Sequence, residues 1–222
     1  MLNKSKGNMY SFVTHTWNTI KGRCPHDCHY CYMKRWGKQR DIYFDKKELK
    51  TDLGTGNFIF VGSSCDMWAD GVPKKWIDDT LALCRASGNR ILIQTKNPMN
   101  IQITKPQLSS IFTVGTTIET NRIYPQMGKT PTPWNRAASM NELRKEFVTM
   151  VTIEPIMNFD TDLLLRMISM CQPKWVNIGA DSGGHKLPEP PAGKVRELIA
   201  ELSKFTVVIP KKNLNRILKG EG

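Results

Sequence analysis

The sequence predicts an α/β fold: a partial, TIM-like barrel of the (β/α)6 type, with parallel strands in a single domain. Three observations carry that reading. Apolar runs of strand length alternate with stretches of helical periodicity, and the pair repeats six times in series. Right-handed crossovers curl such a series into a barrel or part of one. The 222 residues fall short of the ~250 that a full eight-unit barrel usually takes, so an open barrel fits better. An open barrel can admit a large substrate from the side.

In chain order, residues 9–14 (Met-Tyr-Ser-Phe-Val-Thr) read as the first strand, and His15-Thr16-Trp17-Asn18 leads on from it. His15 reads as a structural histidine at a strand end. A loop over residues 18–32 carries three cysteines and runs into a helix expected near residues 29–38. Residues 57–62 (Asn-Phe-Ile-Phe-Val-Gly) form a buried-strand run. Pro73 suits the first turn of the next helix. Ile77, Leu81 and Cys84 give that helix one apolar face, and Gly88 closes it. Residues 90–95, 111–118, 148–153, 174–179 and 206–209 are the further strands. Helices are expected near 105–110, near 136–146, and from an Asp160 cap through Cys171 with Leu164, Met167 and Ile168 inward. Val195, Leu198, Ile199 and Leu202 mark another, and a basic helix over 211–219 follows the last strand. The polar, proline-rich insert over 123–135 is the candidate for a mobile lid.

Residues 1–222 show no domain boundary, fixed-period repeat or low-complexity run. The first residues, Met1-Leu2-Asn3-Lys4-Ser5-Lys6, lack the apolar stretch of a secretory signal. No run approaches the length of a membrane-spanning helix, so no membrane partner is expected. Of the 6 cysteines, three stand together while Cys65, Cys84 and Cys171 are scattered, which is not a disulfide framework. A reducing, cytoplasmic location is expected. The net charge of +12 favours a polyanionic partner, nucleic acid or nucleotide, with DNA foremost. A generally basic surface is the plainer explanation. Lys34, Arg35, Lys38 and Arg40, with Trp36 among them, follow the cysteine loop. Cations for phosphate beside an aromatic for base stacking suit nucleic acid.

Barrels of this kind place their chemistry at the C-terminal strand ends. Those ends carry Ser63, Ser64, Cys65 and Asp66; Thr95 and Lys96; Glu119, Asn121 and Arg122; Glu154; and Asp181 and Ser182. One polar strand end is ordinary loop, but five in register with the cysteine loop form a constellation. Lys96 can pair with a ligand carboxylate, and Glu119, Asn121 or Glu154 can hold ribose hydroxyls or an ammonium. Cys65 can give a hydrogen atom to a radical, or be a small buried hydrophobe as free cysteine usually is. Cys84 and Cys171 fall on apolar helix faces and read as core.

The cysteine loop, Arg23-Cys24-Pro25-His26-Asp27-Cys28-His29-Tyr30-Cys31-Tyr32, has the spacing C-x3-C-x2-C. Three thiolates can hold three irons of a [4Fe–4S] cluster, whereas a cluster held wholly by protein uses four. One iron is then open to an outside ligand. The alternatives are a zinc knuckle completed by His26 or His29, or a disulfide fragment. Zinc ligands usually come as two separated pairs, and no second C-x2-C occurs.

Cys24-x3-Cys28-x2-Cys31 resembles the motif of the radical S-adenosylmethionine (SAM) superfamily. The wider pattern is similar to a family of short, phage-associated radical SAM proteins of unassigned function. It rests on His15-Thr16-Trp17-Asn18, on Phe60 through Trp68, on Ile93-Gln94-Thr95-Lys96-Asn97-Pro98, on Thr152-Ile153-Glu154-Pro155 and on Trp175 through Gly183. More distantly the chain resembles the spore photoproduct lyases, through Cys28-His29-Tyr30-Cys31-Tyr32 and Ser64-Cys65. The resemblance implies a cluster on Cys24, Cys28 and Cys31, with SAM on the open iron. It implies Tyr30 near the SAM adenine, Lys96 on the SAM carboxylate, and Ser63, Ser64, Glu119, Asn121 and Glu154 around the rest. It also implies an external one-electron reductant such as flavodoxin or ferredoxin. A thymine-derived base in DNA is the implied substrate, with modification, rearrangement or repair as the outcome and Cys65 as a hydrogen donor. Serine is more usual at position 65 in the phage-type family, so Cys65 departs from the nearer pattern and matches the farther one. A small-molecule or peptide substrate, and a non-catalytic, metal-stabilised nucleic-acid-binding module, are the other readings.

Overall fold

The strands are short and mostly parallel. The computed structural model describes residues 1–104 and 108–220. Strand β1 (Asn3–Lys4) lies antiparallel to β2 (His15–Trp17), and β3 (Ile20–Lys21) forms a separate two-stranded ladder with β4 (Tyr43–Phe44). Then come β5 (Phe58–Val61), β6 (Arg90–Thr95), β7 (Phe112–Thr117), β8 (Val148–Ile153), β9 (Trp175–Ile178) and β10 (Val207–Pro210). The main sheet runs β1-β2-β5-β6-β7-β8-β9-β10, parallel from β2 onward. Neighbours in the sheet are neighbours in the chain order, as a singly wound barrel requires. β1 and β10 are its edges, so the barrel is open.

Helices α1 (Lys74–Ser87), α2 (Pro98–Thr104), α3 (Pro133–Leu143), α4 (Thr161–Cys171), α5 (Ala192–Leu202) and the single turn α6 (Asn215–Leu218) join or follow the later strands. Period-two alternation decides which strand residues meet them. Ile59, Val61, Ile91, Ile93, Val151, Ile153, Val176 and Ile178 join the main core with Leu81, Met140, Leu164, Ile168 and Leu198 of the helices. The alternate residues Phe58, Phe60, Leu92 and Met150 face the inside of the barrel.

That concave side explains the largest departure from expectation. Residues 9–14 are not a strand. They turn on themselves through Val13 N–H to Tyr10 O, and fill the barrel interior. The Tyr10 and Phe12 rings stack at 5.5 Å; Phe12 meets Phe58 at 5.2 Å and Trp175 at 5.1 Å. The Tyr10 hydroxyl sits 2.8 Å from both Gln94 Oε1 and Thr152 Oγ1. An apolar run looks the same whether it is buried by a ladder or by filling a concavity. The inside of the barrel is therefore occupied in part by the chain's own aromatic rings.

Smaller departures have local causes. The helix expected near 29–38 is a 3-10 segment, Tyr32–Trp36, that buries no residue and stops at Gly37. The helix expected near 136–146 starts earlier, where Thr132 caps it and Pro133 opens it, and ends at Leu143. The helix expected near 105–110 falls partly on residues 105–107, outside the described residues; α2 precedes it. Residues 211–219 hold a 3-10 turn (Lys212–Leu214) and α6 rather than one helix. Asp160 stands at the N-cap of α4 without capping it by side chain; its carboxylate takes Arg122 instead, at 2.7 Å.

Candidate functional site

A cavity of about 530 Å³ opens at the C-terminal ends of the parallel strands. Cys24, Cys28, Tyr30 and Cys31 line it from the loop after β3, and Ser63, Ser64, Cys65 and Asp66 from the loop after β5. Lys96 enters after β6, Glu154 after β8, Asp181 and Ser182 after β9, and Lys211 after β10. The cysteine motif thus shares one cavity with most of the strand-end constellation.

The cysteine loop is held from two sides. His26, buried, places Nε2 3.0 Å from Asp66 Oδ2. Asp66 also accepts from Thr95 Oγ1 at 3.0 Å, from Lys96 N–H at 2.7 Å and from Trp68 N–H at 3.0 Å. Burial alone would push the Asp66 carboxyl up, but His26 and these donors hold it below the ordinary carboxylate range. Burial would lower His26, and Asp66 raises it instead. From the other side, His29 N–H donates to Gln126 O at 2.8 Å and Lys129 N–H to His26 O at 2.7 Å. Gly128 makes that approach possible: a Cβ there would lie 2.2 Å from His26 O, and φ is +68°. The 123–135 insert therefore contacts the cysteine loop directly. His26 is committed to Asp66, and His29 meets the His185 ring edge-on at 5.6 Å. Neither imidazole is offered to the thiols as the zinc alternative requires.

Beneath Cys28 lies a buried charge network. Lys96 Nζ donates to Glu119 Oε1 at 2.6 Å, to Tyr30 OH at 2.9 Å and to Cys28 Sγ at 3.6 Å. Tyr30 OH donates to Glu119 Oε1 at 2.5 Å. Arg136, fully buried, donates to Glu119 Oε2 and to Thr117 O at 2.7 and 2.8 Å. Burial would raise the Glu119 carboxyl, but Arg136 and Lys96 hold it far below its ordinary value. Burial would lower Lys96, yet Glu119 keeps it well above its own. Burial pushes the Tyr30 hydroxyl and the Cys28 and Cys31 thiols up. Cys24 goes the other way: the nearby Cys65 thiol draws it down to about 6, and Cys65 is itself pushed up.

Not every strand-end acid reaches the cavity. Glu119 is completely buried behind Lys96. Asn121 turns outward, donating to Asp160 Oδ2 at 3.0 Å and accepting Asp160 N–H at 2.8 Å. Glu154 does line the cavity, where Asn8 Nδ2, Lys211 Nζ and Asn213 Nδ2 reach it at 2.9, 2.6 and 3.0 Å. Gly179 leaves room for this acid, since a Cβ there would lie 2.5 Å from Glu154 Oε1. Asn18 Oδ1 accepts Ser64 N–H at 2.9 Å and sits 3.2 Å from Ser63 Oγ. Ser64 Oγ is buried on the cavity wall with no partner.

Arg136, Asn18, Tyr10 and Lys211 were not among the site residues expected from sequence, and Asp66 was expected only as a polar strand end. Arg136 had a signal: it shares the inward stripe of α3 with Ala137, Met140 and Leu143, and an arginine on such a stripe needs a buried partner. The others are ordinary until the loops are brought together.

Fold and cavity together define a partial (β/α) barrel with a thiol-lined site at its C-terminal mouth. Among solved structures the chain is similar to a cysteine-to-alanine mutant of spore photoproduct lyase with a dinucleoside spore photoproduct, with TM-score 0.58 and 11% identity. The match covers 90% of this chain but spans only 63% of that one. The likeness is one of fold. No family model matches the chain, and no curated protein does. Among the described residues no group of three or more His, Cys, Asp or Glu is placed to hold one metal ion, and no helix is long and apolar enough to cross a membrane.

Proposed function

We propose that this chain is a radical SAM enzyme acting on a base in DNA. The observation that carries the reading is that Cys24, Cys28 and Cys31 line the same cavity as the polar loops after the following strands. The donor set fits a cubane, which takes one thiolate per iron rather than several ligands on one ion. The unpartnered Ser64 Oγ fits a polar ligand in the same space. When bound, the cluster and SAM supply a one-electron cleavage that yields a hydrogen-abstracting adenosyl radical.

The chain's residues do the rest. Cys24, Cys28 and Cys31 hold the cluster. Tyr30, Ser63, Ser64 and Glu154 form walls for SAM, and Lys96 supplies the positive potential its carboxylate meets. Cys65, on the same wall, is placed to return a hydrogen atom to a product radical. The 123–135 insert braces the cysteine loop, and an external carrier such as flavodoxin or ferredoxin delivers the electron in a reducing cytoplasm.

Support for DNA comes from charge and from the likeness in fold. Trp36 is 70% exposed, next to Arg35, which with Tyr32 lines the cavity mouth. Lys34 and Lys38 flank it. Phosphate contacts with a stacked base suit this loop. The similar lyase is described with a dinucleoside photoproduct, which favours a thymine-derived base here. The test is anaerobic turnover of the iron-loaded protein with SAM, a strong reductant and candidate DNAs, followed by mass spectrometry of the nucleosides. Deoxyadenosine that rises with DNA, together with a changed nucleoside, is expected. Deoxyadenosine indifferent to every DNA would move the substrate to a small molecule or peptide. Stoichiometric zinc without iron would leave the non-catalytic module.

A further inference from the structure

One of the three motif thiols has a proton donor aimed at it: Lys96 Nζ reaches Cys28 Sγ at 3.6 Å. An ammonium has three protons, and those of Lys96 all have acceptors: Cys28 Sγ, Tyr30 OH and Glu119 Oε1. Glu119 is anchored in turn by the buried Arg136. The cation is therefore fixed against the cluster side of the cavity.

Hydrogen bonds to cluster sulfurs and local net charge are among the determinants of a cluster's reduction potential. Reduction adds negative charge that the thiolates share, so a donor or cation beside them favours the reduced state. We propose that Lys96 is a positioning residue that raises the reduction potential of the cluster through Cys28. Glu119 opposes Lys96 by partly neutralising it. The inference rests on the cluster reading above.

The test is a potentiometric titration of the reconstituted protein, followed by the EPR signal of the reduced cluster, with iron and sulfide content measured alongside. Lys96→Met shifts the midpoint to more negative potential. Glu119→Gln shifts the midpoint the opposite way, a sign that general structural damage would not produce. A Lys96→Met midpoint that coincides with the unaltered protein overturns the proposal. If Lys96→Met does not retain iron, Glu119→Gln decides it: a more positive midpoint supports it, and an unchanged or more negative one overturns it. An unaltered protein that binds no cluster defeats the parent reading; a cluster with immovable midpoints defeats only this one.

Discussion

Glu119 and Glu154 stand at corresponding strand ends, and the molecule uses them in opposite ways. Glu119 is fully buried, with Lys96 on one oxygen and Arg136 on the other. Glu154 is on the cavity wall, reached by Lys211 and by two amides. The first is scaffold for the cysteine loop, because removing either cation leaves an uncompensated buried charge. The second can exchange partners, because its surroundings are polar and open to a ligand. A strand-end carboxylate is thus a ligand contact or a structural anchor according to what the neighbouring helix supplies.

That contrast can be broken by mutation, and the largest effect belongs to the buried side. Arg136→Leu strands Glu119 and costs about 3–5 kcal/mol, a loss of roughly 10 °C or more in melting temperature for a chain of this size. Thermal unfolding checks it; a shift of a degree or two would show that Glu119 does not depend on Arg136. Tyr10→Ala opens a hole in the barrel interior and costs about 3–5 kcal/mol, by the cost of truncating a buried aromatic. If it unfolds like the unaltered protein, residues 9–14 do not fill the concavity.

Next comes the Asp66–His26 contact, which gives stability a pH signature. Asp66 titrates below its ordinary value of about 3.9 when folded. Its contribution is therefore present above that value and lost as pH falls through the lowered one. His26 is raised, so its contribution is full below about pH 6.5 and fades as pH rises through the folded value. Asp66→Asn removes both slopes and costs about 1.5–3 kcal/mol near pH 5, the worth of hydrogen bonds to a charged group. Melting temperature followed from pH 3 to 8 tests this; parallel profiles for the two proteins would contradict it.

The smallest stability effects belong to the open side. Lys211→Met costs about 1.5 kcal/mol, the low end for a hydrogen bond to a charged group, because Glu154 keeps Asn8 and Asn213, yet it weakens SAM binding about tenfold, or 1.4 kcal/mol. Equilibrium binding of SAM measured beside a denaturation curve separates the two. Loss of stability without loss of affinity would place Glu154 with Glu119 as scaffold.

Much of this was legible in the sequence, for identifiable reasons. β6 and β8 coincide with their apolar runs because most of their residues are buried, the threonines included. The cysteine motif is legible because three thiols in ten residues have few other uses. Residues 9–14 were misread as a strand because periodicity reports burial, not what does the burying. Glu119 and Asn121 were read as ligand contacts because their partners, Arg136 and Asp160, lie 17 and 39 residues away in sequence. Lys96 was readable as a cation at the site, but its three acceptors were not.

The measurement closest to the central claim is the EPR spectrum of the reconstituted, reduced protein before and after SAM is added. The account predicts about four irons and four sulfides per chain and a signal that changes when SAM occupies the iron without a cysteine ligand. A cluster of the same content whose signal ignores saturating SAM would contradict it, since no iron would then be open.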